Sequence, residues 1–218
     1  MQRTTAASGA WEALPARVPA CEAVAREVAR LRTLSPAPRP ERLAALHNPW
    51  SNTAVAADRW AFLDLCESVE IVRAVAGLIG PDVVLWDSQL YLAANDYAAF
   101  VAAGREGRYW PVHPRDGAVA MLSFGEPVLA LHMRIAEIGT NFSLPPKPDA
   151  PLYAIRYFPA ASKFTRDPRF PANWIAMEEQ VLVNYTTRAL WLVSGADRAG
   201  NDFVTGFSQQ SPSWATQG

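Results

Sequence analysis

The sequence predicts a mainly β domain with helices gathered on its N-terminal side, and three observations carry this reading. Apolar residues at helical spacing are concentrated in the chain before about residue 80 and return only briefly near the C-terminal side. Beyond it, β-branched and aromatic runs alternate with Gly, Pro and Asp punctuation. Half of the 218 residues are hydrophobic, enough to bury a core of single-domain size.

The elements follow in order. Cys21 to Leu34 sets Val24, Val28 and Leu31 at helical spacing, and Pro36, Pro38 and Pro40 then break the helix. Residues 1–44 are thus read as a helical segment with a Pro-rich connector, 45–207 as the main domain and 208–218 as a tail. His47-Asn48-Pro49-Trp50 reads as a docking turn. Asp58 can cap one helix running to about Ile79, with Trp60, Leu63, Val69, Val72 and Val75 towards the core and Gly80-Pro81 as its stop. Asp82 to Leu92 reads as a strand with one face fully buried, and Ala118 to Phe124, Pro127 to Ile135 and Leu152 to Phe158 as further strands. Trp174 to Tyr185 is a short helical stretch, and Ala189 to Val193 a last apolar piece. The segment after Ser194 packs on the domain through Phe203, Phe207 and Trp214, or frays.

Composition excludes several classes. Twenty Lys plus Arg against 21 Asp plus Glu give a formal charge of -1, which is no nucleic-acid footprint. No run of 18 apolar residues is present, so no membrane span is expected. Two cysteines, Cys21 and Cys66, allow no disulfide framework and read as buried thiols of a cytoplasmic protein. Three histidines, His47, His113 and His132, permit at most one His-based metal site.

Several stretches then agree, in order, with a known family. They are Leu78 to Tyr91 (with Trp86-Asp87-Ser88-Gln89-Leu90-Tyr91), Phe100 to Val112, Gly125 to Ser143, Tyr153 to Pro159, and Ala189 to Val193 with Gly195 to Phe203. Together they cover most of 45–207 and resemble the phytanoyl-CoA dioxygenase family. The resemblance implies a double-stranded β-helix of jelly-roll, cupin-like form that binds Fe(II) and 2-oxoglutarate and hydroxylates or halogenates small molecules. In that family a His-x-Asp pair and a distal His hold the iron and leave open positions for cosubstrate and oxygen.

The resemblance also says where those ligands belong. Tyr109-Trp110-Pro111 sets the register, so the first His slot holds Gly104 and the carboxylate slot holds Glu106. The distal His slot, counted back from Asn141, holds Ala136. The cosubstrate Lys falls on Ala93 and the clamping Arg near Lys147 or Asp149, where Lys147 is a point charge in place of a bidentate fork. Only Trp110 to Phe124 spans a region in which the family threads several strands, so the barrel is expected to be truncated, with open edges for a homo-oligomer or a complete paralogue to cover.

Two functional readings follow. The leading one is a non-metal pseudo-enzyme or repurposed small-molecule-binding relative without cofactors. The alternative is an active oxygenase, with Fe(II) and 2-oxoglutarate, whose displaced site uses Glu106, His113 and His132. Each site residue has a plainer reading beside it. Glu106 is an ion-paired surface residue between Arg105 and Arg108, or a poised acid or base. Arg156 is a structural salt bridge or an anion anchor beside Lys147. Trp86, Gln89, Tyr91, Tyr109, Trp110 and Asn141 line a pocket or fill the core.

Overall fold

Strand β2, Val83–Tyr91, forms because its β-branched and aromatic residues find apolar partners on both faces of a sheet. The computed structural model describes residues 12–13, 18–51, 55–125, 127–133, 144–174 and 188–203. Among them β2 pairs along its length with β6, Leu152–Pro159, and β6 continues through β4, Ala118–Phe124, to β5, Pro127–Met133. Short strands close the two sides, β1 (Glu12–Ala13) beside β5 and β8 (Trp191–Ser194) beside β2. The sheet order is β1-β5-β4-β6-β2-β8, and every pairing is antiparallel. A separate ribbon joins β3, Val112–His113, to β7, Lys163–Phe164.

Alternation along the strands divides the core into two layers. Ala118, Ala120, Leu122, Tyr153, Ile155 and Tyr157 face helices α1 (Pro19–Arg32), α2 (Arg59–Cys66) and α3 (Val69–Ile79). Val119, Met121, Ala154 and Phe158 face the opposite layer, built from α4 (Ala94–Ala102), Tyr109, Trp110 and the β3–β7 ribbon. The expected mainly β architecture with N-terminal helices is therefore present, and β4 has the expected bounds.

Some expectations fail for local reasons. The single helix from Asp58 to Ile79 is two helices, because the chain leaves helical geometry at Glu67-Ser68 and restarts with Ser68 as the N-cap of α3. Asp58 does cap α2, its carboxylate accepting from Ala61 N at 3.0 Å. The break rotates Trp60 and Val69 out of the core, leaving both exposed, while Leu63, Val72 and Val75 stay buried. Helix α4 was missed: Ala94-Asn95-Asp96-Tyr97 carries little helical periodicity, and Tyr97 and Val101 are buried by tertiary packing. The expected helix past Trp174, the end of β5 beyond Met133, and Phe207 and Trp214 lie outside the described residues. Phe203 packs on the layer of α4.

A bulge in β2 fixes what the second layer contains. Leu85 pairs with Tyr157 and Asp87 with Arg156, so Trp86 is the additional residue. An irregularity of this kind re-aims the next side chain. Here it sets Trp86 and Asp87 on the same side, and Asp87 arrives opposite Arg156. Ser88 and Leu90 then return to the helix side.

Candidate functional site

The second layer encloses a cluster of four charges that the sequence scatters over 87–188. The Arg156 guanidinium donates from Nε to Glu106 Oε1 and from Nη2 to Glu106 Oε2, both at 2.7 Å. Its Nη1 donates to Asp87 Oδ2 at 3.0 Å, and the Arg188 Nη1 stands 2.9 Å from Asp87 Oδ1. All four side chains are buried, Glu106 to 1% exposure. Two acids and two arginines balance, as burial of charge requires.

Neutral groups complete the cluster. The Trp110 indole N–H donates to Glu106 Oε1 at 3.3 Å, and Arg156 Nη2 lies 3.4 Å from the Tyr91 hydroxyl, which in turn donates to Gln89 Oε1. The Arg156 guanidinium carbon lies 5.9 Å from the centre of the Phe100 ring. Burial alone would lower the pKa of Arg156, but Glu106, with Tyr91 and Asp87, holds it well above the ordinary arginine value. Burial pushes the Tyr91 and Tyr97 hydroxyls up, so both stay protonated.

On the helix side of β2 a second polar chain is fully buried. The Tyr153 hydroxyl donates to Ser88 Oγ at 2.7 Å, and Ser88 lies 2.7 Å from His47 Nδ1. Ser88 Oγ thus joins the Tyr153 hydroxyl to the neutral His47 ring, accepting from the one and hydrogen-bonded to Nδ1 of the other. The Cys66 thiol sits 3.5 Å from Tyr153 at the other end. Burial, followed by the charge of Arg188, pushes the His47 pKa down to about 3. The docking turn is thus a hydrogen-bonded packing element.

A cavity of about 590 Å³ opens beside the charge cluster. Strand β8 pairs with Val83, Val84 and Leu85, so among the described residues the second half of β2 has no strand neighbour on that side. The chain after a 3-10 turn, Pro40–Leu43, covers part of this edge: Ala44 bridges to Gln89 and Ala45 N donates to Ser88 O at 2.6 Å. Between this turn, β2 and α4 the cavity is lined by Gln89, Tyr91, Phe100, Glu41, Asp96 and Arg105, with apolar side chains between them. Its size is that of a small-molecule pocket.

The sequence-predicted site residues are thus partly gathered. Glu106, Arg156, Gln89, Tyr91 and Trp110 belong to one hydrogen-bonded group. Trp86 stands 5.2 Å from Trp110, ring to ring, and with Tyr109 these residues fill core and do not line the cavity. Glu106 is not the surface residue that was expected. It turns inward, where the Arg156 guanidinium holds both of its oxygens. Gly104 is exposed with φ +67°, a conformation that a histidine adopts only with strain. His113 is exposed on β3. Lys147 reaches Gly125 O past the end of β4, about 20 Å along the strand from the row of Arg156, so the two do not form one anion anchor. His132 shares the register row of Val119 and Arg156. Ala136 and Asn141 lie outside the described residues. Asp87 and Arg188 were missed, although an acid within Val83-Val84-Leu85-Trp86-Asp87 already demands a buried partner.

No family model matches the chain, and no curated protein matches it. Among solved structures it is similar to CytC3, at 14% identity over 90% of this chain and 86% of that one, with a TM-score of 0.46. A second structure, described as CytC3 with Fe(II) and alpha-ketoglutarate, gives 14% identity, 84% and 81% coverage and a TM-score of 0.44. A third, the non-heme monooxygenase ThoJ in complex with Ni, gives 15% identity, 83% and 77% coverage and a TM-score of 0.42.

Proposed function

We propose that this chain is a non-metal, small-molecule-binding protein built on the plan of the phytanoyl-CoA dioxygenase-like oxygenases, with a shortened double-stranded β-helix. One observation carries the reading. Glu106, which the sequence resemblance sets in the carboxylate slot of the iron site, has each of its oxygens 2.7 Å from a donor of Arg156. The guanidinium takes the chelating edge of this carboxylate, so a cation could grip it there only by expelling Arg156, and that would strand a buried charge. The residues present do not fit iron: Gly104 has no donor side chain, Glu106 is committed, and His113 points to solvent from a separate ribbon.

The cavity above Tyr91 and Phe100 supplies the binding function. Its walls mix apolar side chains with polar and charged groups at Glu41, Gln89, Tyr91, Asp96 and Arg105, the composition of a pocket that orients an amphipathic small molecule.

Anaerobic titration with Fe(II) and 2-oxoglutarate tests this reading, and no metal-to-ligand absorption band is expected. A band in the wild-type protein that disappears in His132→Ala would establish the displaced oxygenase site instead. A ligand-observed magnetic resonance screen with amphipathic fragments should give hits that Gln89→Ala and Phe100→Ala weaken.

A further inference from the structure

The break between α2 and α3 creates a surface independent of the charge cluster and its cavity. Trp60 is 57% exposed and Val69 61%, the two most exposed large hydrophobic side chains among the described residues. They stand on the walls of one open groove of about 670 Å³ between the start of α1, α2 and the first turn of α3. Val18, Pro19, Ala20 and Ala23 form its apolar floor.

The rim of this groove is acidic. Asp58, Asp64 and Glu70 line it, and among the described residues no Lys, Arg or His does. Three carboxylates on one groove contrast with a chain whose formal charge is -1. At the helix break, burial and then the neighbouring Asp64 push the Glu67 pKa up, so like charges crowd this edge. Aromatic surface extends the groove on one side. Trp60 meets Trp50 edge-on at 6.1 Å, and Trp50 stacks on Trp191 of β8 at 5.2 Å.

We propose that this groove docks a cationic amphipathic segment of a partner protein, its apolar face against Trp60 and Val69 and its Lys or Arg residues over Asp64 and Glu70. An exposed aromatic beside an apolar floor is the usual energetic centre of such a contact. The opposite charges on the rim fix the sign of the partner. A helix laying an apolar stripe into a groove of this kind is a recurring mode of recognition.

Calorimetric titration of the full chain with a synthetic Leu/Lys amphipathic peptide and with its Leu/Glu counterpart tests the proposal. The Leu/Lys peptide is expected to bind and the Leu/Glu peptide to give no heat. Asp64→Lys with Glu70→Lys, and separately Trp60→Ser, should each weaken binding by about tenfold or more. Each variant should still melt cooperatively, within a few degrees of the wild type, since Trp60 and Asp64 are exposed and Glu70 only half-buried. No binding by the wild type, or equal binding by wild type and both variants, overturns the proposal. A dimer seen by light scattering and dissolved by Trp60→Ser would assign the groove to a second copy of the chain and overturn it as well.

Discussion

Arg156 and Glu106 form a two-pronged ion pair, 2.7 Å at each contact, with both side chains withdrawn from solvent. Removing one partner leaves the other charged and dry. Arg156→Ala, which strands Glu106 and leaves Asp87 to Arg188 alone, should lower unfolding stability by about 3–5 kcal/mol. Arg156→Lys keeps the charge but loses the fork and should fall between wild type and Ala. Urea unfolding of the two variants and of Glu106→Gln measures this, and a double-variant cycle should show strong non-additivity.

His47 gives the protein an acid sensitivity of defined sign. Its folded pKa, about 3, lies below the ordinary histidine value of 6.5, so between these limits the unfolded chain binds a proton that the native one refuses. This contribution to stability is complete above pH 6.5 and is lost as pH falls towards 3, at roughly 1.4 kcal/mol per pH unit. Urea titrations at pH 7, 6 and 5 should show the fall, and His47→Gln should flatten it. An unchanged slope in that variant would remove His47 as the cause.

The two thiols should differ in reactivity. Cys66 is fully buried, and burial pushes its pKa far above the ordinary thiol range, whereas Cys21 is half-buried with a smaller rise. Only the thiolate reacts. Pulse labelling with a maleimide, read by mass spectrometry, should modify Cys21 under native conditions and Cys66 only as the chain unfolds.

Two backbone positions carry opposite expectations. A Cβ on Gly117 would lie 2.6 Å from the Tyr157 carbonyl oxygen and clash with the Trp110 ring, so Gly117→Ala should cost about 1–3 kcal/mol by displacing the start of β4. Ala45 has φ 52°, in the left-handed region, while its N–H donates to Ser88 O. Ala45→Gly relieves that strain and should raise stability by about 1 kcal/mol. Thermal melts of the two variants should therefore move in opposite directions.

Which features were legible in the sequence follows from how local their causes are. Strands β2, β4 and β6 were readable because each carries its own β-branched and aromatic pattern, and Gly or Pro marks the ends. The helix break at Ser68 was not, since Trp60 and Val69 continue an apolar pattern that only the packing of α2 and α3 contradicts. Arg156 could be recognised as a structural ion-pair residue, but its partner could not: Glu106 sits fifty positions earlier beside two closer arginines. Asp87 reaches the cluster only through a bulge, and a bulge of one residue leaves no mark in Leu85-Trp86-Asp87-Ser88.

The buried charge cluster takes Asp87 from β2, Glu106 from the loop after α4, Arg156 from β6 and Arg188 from the chain before β8. No two of these stretches are joined by a tight hairpin or share a helix, so their charges can shed water only after distant parts of the sheet have met. Such contacts form late along the folding route. Changes to the cluster should therefore speed unfolding far more than they slow folding. The cluster acts as a latch that closes last, and its chief effect is on how long each native molecule survives before it opens.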